Sequence, residues 1–131
     1  DSKTMHVAAD MQRLLLNTKG IEKIILITDA TTSKITKDPA LERFADLNFD
    51  DNGDLAGSRL TMNQACRNIM KSTNAGIAQA FMMASTNPAR ALGMDDDIGS
   101  IEAGKTADLV FVDDKFNVER VILGGEICIF D

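Results

Sequence analysis

Apolar positions along the chain change period several times, and each change marks an element. Val7, Met11, Leu14, Leu15 and Thr18 recur at helical spacing, with Asp10, Gln12, Arg13 and Asn17 opposite. The spacing predicts a helix over residues 7–18, stopped by Gly20. Lys23-Ile24-Ile25-Leu26-Ile27-Thr28-Asp29 is then almost wholly apolar and ends in a carboxylate. Such a run predicts a strand covered on both faces, of the parallel type. A helix followed by such a strand is half of a β/α unit.

Residues 30–57 lose that regularity. Thr31, Thr32, Ser33, Lys34, Thr36 and Lys37 suggest a loop, and 39–44 fit a short helix or an edge element. Asp50-Asp51-Asn52-Gly53-Asp54 is a turn by composition, joining short strands around Leu47/Phe49 and Leu55. Its acidic run resembles part of a calcium loop. Arg59 stands where the full loop needs Glu, so calcium is not expected.

Thr61 and Gln64 fit a capping box ahead of an apolar face of Met62, Ala65, Cys66, Ile69 and Met70. Asn74-Ala75-Gly76 breaks that helix, and Ile77, Ala80, Phe81 and Ala84 make another face. The methionines at 62, 70, 82, 83 and 94 read as core rather than as a partner groove. A further helix is expected to begin at Pro88, capped by Asn87 or Thr86, and to stop at Gly93. Gly99 and Gly104 bracket a turn, and Leu109-Val110-Phe111-Val112 reads as a strand covered on both faces. Residues 118–123 and 126–130 flank Gly124-Gly125 as a hairpin, giving at least three antiparallel strands.

The 131 residues suffice for one modest domain, and 44% hydrophobic with 26% charged residues is a globular composition. No apolar run approaches the roughly 20 residues of a membrane span. The start, Asp1-Ser2-Lys3-Thr4-Met5-His6, shows no signal peptide, so a cytoplasmic location is expected. It also lacks an initiator Met, as expected of a piece of a larger chain. A net charge of −6 with scattered Lys and Arg speaks against nucleic acid and anionic membrane as partners. Cys66 and Cys128 read as two buried, reduced thiols.

Two side chains stand out chemically. Asp29 ends an apolar strand and begins a polar loop. In β/α barrels such positions line the active site, where a carboxylate can hold a metal or shuttle a proton. Equally, Asp29 fits an Asx-type cap on Thr31 or Thr32. His6 is the only histidine, and a lone histidine is more often structural than a ligand. Hydrolytic zinc takes three protein ligands, so the chain lacks the parts for metal catalysis on its own. The segment 53–62 places a turn directly before a helix N-terminus, where N–H groups can bind an anion or carbonyl oxygen. The plainer reading is a tight entry to the helix.

Three stretches together carry a resemblance. The first is Met5-His6-Val7, then Ile25-Leu26-Ile27-Thr28-Asp29-Ala30. The second is Gly53-Asp54-Leu55-Ala56-Gly57-Ser58, then Leu60-Thr61-Met62 and Arg67-Asn68. The third is Asn87-Pro88-Ala89-Arg90, then Gly104-Lys105-Thr106-Ala107-Asp108-Leu109. In these the chain resembles the N-acetylglucosamine-6-phosphate deacetylases of the amidohydrolase superfamily. The resemblance implies an α/β fold, the C-terminal part of a (β/α)8 TIM-type barrel plus strands of a small β-sandwich. The barrel part would span 1–95, with an irregular insertion at about 31–57, and the sandwich strands 96–131.

It also implies metal-dependent hydrolysis of the acetamide of N-acetylglucosamine 6-phosphate, giving glucosamine 6-phosphate and acetate, in a larger enzyme. The divalent metal, zinc or similar, would be held by upstream residues, so this chain alone is expected to be inactive. Asp29 would be the catalytic acid/base, and His6 would contact the substrate and help polarise its amide oxygen. Leu55, Ala56 and Gly57 would form a short loop over the sugar. An open barrel edge leads us to expect self-pairing, hence a homo-oligomer, or a need for the missing part. The competing readings are a hydrolase of cyclic amides or nucleobases with the same tail, and a non-catalytic, self-associating α+β domain.

Overall fold

Helix α1 (Ala9–Lys19) ends where Gly20 takes a φ of 79° and returns its N–H to Leu16 O, a stop that suits a residue without a Cβ. The computed structural model describes residues 5–32 and 46–129. After one 3-10 turn (Ile21–Lys23) Ile24 is extended, but residues 24–29 join no sheet, so the strand expected over 23–29 is corrected to an apolar segment that ends in a left-handed Asp29. Ile24, Leu26 and Thr28 are half-buried, while Ile25 and Ile27 are 40% and 70% exposed. The expected two-sided coverage is therefore corrected. Ile24 and Leu26 pack on a core of Cys66, Ile69, Ala75, Ala80, Met83 and Phe116. Nothing described covers the opposite face. The bridge of this segment region, Ala30 to Ser58, is parallel.

Strands β1 (Leu47–Phe49) and β2 (Leu55–Ser58) form the expected antiparallel pair. Asp50 builds their turn by accepting the N–H groups of Asn52 and Asp54, each at 2.9 Å, and Gly53 supplies a φ of 86°. The short element expected at 39–44, and Ser33, Lys34, Thr36 and Lys37, lie outside the described residues.

Helix α2 (Met62–Thr73) starts after Thr61, but the Thr61 side chain makes no capping bond. It buries Ala65, Cys66 and Ile69 and stops at Asn74 in the left-handed region. Helix α3 (Ile77–Phe81), a π turn (Met82–Thr86) and helix α4 (Asn87–Ala91) then follow without a break. The separate helix expected at Pro88 is thus corrected, because Thr86 and Asn87 both have helical dihedrals. A proline inside an α-helix removes a donor and crowds the carbonyl four residues back, and a wider turn relieves both.

Asn87, freed from capping, is buried and donates Nδ2 to Ile21 O at 2.8 Å and Ile24 O at 2.7 Å. From the other side, Leu26 N–H reaches Met83 O within the π turn at 3.0 Å. Of the methionines read as core, Met83 is fully buried and Met70 and Met82 partly so, while Met62 and Met94 are exposed. Gly93 stops the helix with a φ of 67°, as expected. Gly99 lies so close to it that a Cβ would sit 2.5 Å from that of Ala89.

Strands β3 (Leu109–Val112), β4 (Val118–Leu123) and β5 (Glu126–Cys128) make one antiparallel sheet in that order. The β4–β5 hairpin turns at Gly124-Gly125 as the sequence predicts. The expected burial of β3 on both faces is corrected, since Val110 and Phe111 are 56% and 46% exposed. These two neighbours lie on opposite faces of the strand, and of β3 only Val112 packs on the helical core. Phe116, between β3 and β4, joins the sheet to the helices. Its ring stacks on Phe81 with centroids 5.7 Å apart, and its carbonyl accepts Asn63 Nδ2 at 2.7 Å. Both cysteines are free. Cys66 is buried, and burial pushes its thiol up, whereas Cys128 is only half-buried, against expectation.

Two outcomes follow from this arrangement. Asn87→Ala strands two carbonyls beside the core and is expected to lower unfolding stability by about 2 kcal/mol or more, read by denaturant titration. The backbone N–H of Asp54, with those of Asn52 and Gly53, holds the Asp50 carboxyl below its ordinary value of 3.8. A lowered pKa means the turn's support is complete above that ordinary value and is lost as pH falls through the lowered one. Amide-exchange protection at Asn52 and Asp54 should therefore persist on mild acidification and collapse only at lower pH.

Candidate functional site

Half-buried Ile24, Leu26 and Thr28 alternate with exposed Ile25 and Ile27, and Asp29, also exposed, ends the run. Beside this run is a cleft of about 290 Å³. Gln12, Leu15 and Leu16 of α1 and Ala65, Asn68 and Ile69 of α2 form its walls, and His6 and Asp29 both line it. The structure thus brings together the two titratable side chains that the sequence singled out.

The Asp29 backbone has a φ of 50°, a left-handed conformation uncommon for a residue with a Cβ. Ser58 N–H donates to Asp29 O at 2.8 Å, and the Ser58 hydroxyl donates to Thr28 O. Thr31 N–H goes to Ser58 O at 3.0 Å, and the Thr31 hydroxyl to Ala56 O at 3.0 Å. Both donors that an Asx-type cap on Thr31 would need are thereby engaged elsewhere. Asp29 itself is exposed and lines the cleft.

Leu55, Ala56 and Gly57 form strand β2 rather than a loop, and they do not line the cleft. They run beside the Asp29 segment, with Leu55 exposed and Ala56 and Gly57 half-buried. Gly57, with a φ of 86°, approaches so closely that a Cβ would meet Asp29 O at 2.8 Å.

Sequence reading passed over Asn48. It is 1% exposed, and its Nδ2 reaches Ser58 O, Thr31 O and Thr31 Oγ1 at 2.9, 3.1 and 2.8 Å. Its signal was a lone amide between Leu47 and Phe49 in an otherwise apolar strand. Asn68 was quoted only as part of a motif. In the fold its Nδ2 is buried in the cleft wall with no partner among the described residues. No three His, Cys, Asp or Glu side chains converge among the described residues, so these residues do not make a hydrolytic metal site.

The model of the amidohydrolase family matches residues 6–128. A putative N-acetylgalactosamine-6-phosphate deacetylase of Escherichia coli (strain K12) is 34% identical over 83% of this chain and 70% of its own length. The N-acetylglucosamine-6-phosphate deacetylase of Bacillus subtilis (strain 168) is 37% identical over 88% of this chain and 31% of its own length. Among solved structures, the N-acetylglucosamine-6-phosphate deacetylase from Pasteurella multocida aligns with a TM-score of 0.84 at 28% identity, over 97% of this chain and 35% of that one. The Thermotoga maritima enzyme of the same name aligns at 0.78 and 30% identity, over 96% and 36%. The chain therefore spans about a third of the length of most of these relatives. With the family model covering nearly all of it, the chain belongs to the amidohydrolase family.

Proposed function

We propose that this chain is the C-terminal part of an N-acetylglucosamine-6-phosphate deacetylase. Residues 1–95 are its last barrel strands and helices, and 96–131 contribute strands of a small β-sandwich. The observation that carries the reading is Asp29. It ends the apolar run 24–29, is exposed and lines a cleft with His6. In a β/α barrel the C-terminal ends of such runs form the active face. The bareness of Ile25 and Ile27 is then the interior seen without its other strands.

Asp29 is assigned the proton transfers. It takes a proton from the water that attacks the acetamide carbonyl. As the C–N bond breaks it gives that proton to the amine, leaving glucosamine 6-phosphate and acetate. His6 contacts the substrate and helps polarise the amide oxygen. Leu55, Ala56 and Gly57 are assigned to the sugar side. A divalent metal, zinc or similar, supplies Lewis acidity to this reaction in the intact enzyme. No group of three His, Cys, Asp or Glu among the described residues could hold it unaided, and we assign its ligands to upstream chain. The open edge of 24–29 makes the chain pair with itself or with its upstream part. No helix among the described residues is long and apolar enough to cross a membrane. Separately from that, the deacetylase reading assigns a cytoplasmic location. A second substrate, the galactosamine epimer, is favoured by the name of the relative matched over 70% of its length.

Combining this chain with the upstream barrel part and zinc tests the reading through amine release from both N-acetylhexosamine 6-phosphates. Activity is expected only from the combination, and Asp29→Asn should lower it by about two to four orders of magnitude. A stable, metal-loaded complex that hydrolyses neither sugar overturns the substrate. Preference for the galactosamine epimer moves the assignment to that sugar.

A further inference from the structure

We propose that Ser58, backed by Asn48, is a positioning residue that sets the left-handed backbone of Asp29 and so the direction of its carboxylate. This rests on the acid/base reading of Asp29 and adds to it two residues outside the reacting groups. A residue with a Cβ at a φ of 50° stands in the left-handed region that few such residues adopt. Such a conformation persists only where its surroundings over-determine it.

Ser58 supplies that determination from both sides. Its hydroxyl donates to Thr28 O, before Asp29, and its N–H to Asp29 O at 2.8 Å. Its own carbonyl accepts Thr31 N–H at 3.0 Å, after Asp29. The peptide units flanking the turn are thus tied to one residue. The hydroxyl oxygen also accepts Leu60 N–H at 3.0 Å, which fixes its rotamer. Although Ser58 borders the cleft, its one hydroxyl proton is already given to Thr28 O, so none is left to donate to a substrate.

Asn48 fixes Ser58 in turn. Its two Nδ2 protons serve three acceptors, Ser58 O, Thr31 O and Thr31 Oγ1, all within 3.1 Å. Asn48 does not line the cleft. Both side chains are buried, with Ser58 at 2% and Asn48 at 1% exposure, so solvent does not compete for these bonds. Gly57 makes the approach feasible, because a Cβ there would lie 2.6 Å from Thr31 Cγ2.

The test uses the complete, metal-loaded protein that carries this segment, with turnover expressed per folded, metal-containing molecule. Ser58→Ala is expected to lower kcat by about tenfold to a hundredfold while KM stays within about twofold. The Ser58→Ala/Asn48→Ala double variant should lose no more than Ser58→Ala alone, because both act through one linkage. Thr31→Val alters an exposed residue and removes one Asn48 acceptor together with the hydroxyl's bond to Ala56 O. It should give a smaller loss in the same parameter, and it decides the matter if Ser58→Ala does not fold. Unchanged kcat, a rise confined to KM, or fully additive losses overturn the positioning role. Asp29→Asn separates the two levels. Full activity in that variant overturns the acid/base reading and this inference with it. Its inactivity beside a fully active Ser58→Ala overturns the positioning role alone.

Discussion

The apolar run 24–29 is held from one side, and most of the fold depends on how. Its apolar residues alone do not hold it, since Ile25 and Ile27 bury little. It is fastened by polar groups of the helix behind it. The Asn87 amide binds the carbonyls of Ile21 and Ile24, and the Met83 carbonyl takes Leu26 N–H. A helix normally keeps its backbone bonds to itself. A direct link to another segment requires a helix with a carbonyl to spare, and the π turn ahead of Pro88 provides it.

That fastening sets the phase of the run. Ile24 and Leu26 face the helices, which places Ile25 and Ile27 on the bare side. At its far end a second fastening takes over, this time from strand β2. Ser58 hydrogen-bonds the backbone on both sides of Asp29, which has a left-handed φ. Asp29 and His6 line one cleft.

The sheet is joined to this assembly mainly through Phe116. Its ring enters the core beside Phe81, and its carbonyl and that of Lys115 accept side chains of α2, from Asn63 and Arg67. Val110 and Phe111 of β3 remain exposed. The solved relatives are about three times as long as this chain.

Local chemistry was legible in the residues by themselves. Helix α1 and its glycine stop, the Asp50 turn, the Gly124-Gly125 hairpin and the break at Asn74 all depend on neighbours a few positions away. The pairing of apolar run and terminal carboxylate singled out Asp29 for the same reason. Burial was not legible there, because an apolar run reads alike whether one face or two are covered, and the difference lies with elements distant in sequence. Nor was the continuous helix through Pro88, since Thr86 and Asn87 look like caps until Asn87 is seen bound to Ile21 and Ile24. Asn48 and Ser58 gave no sign of what they hold, as their partners come from another segment altogether. The sequence determined where the chain turns and which carboxylate ends the apolar run. Only the tertiary structure decided how the backbone around that carboxylate is held, because it is set by hydrogen bonds between segments that no local pattern encodes.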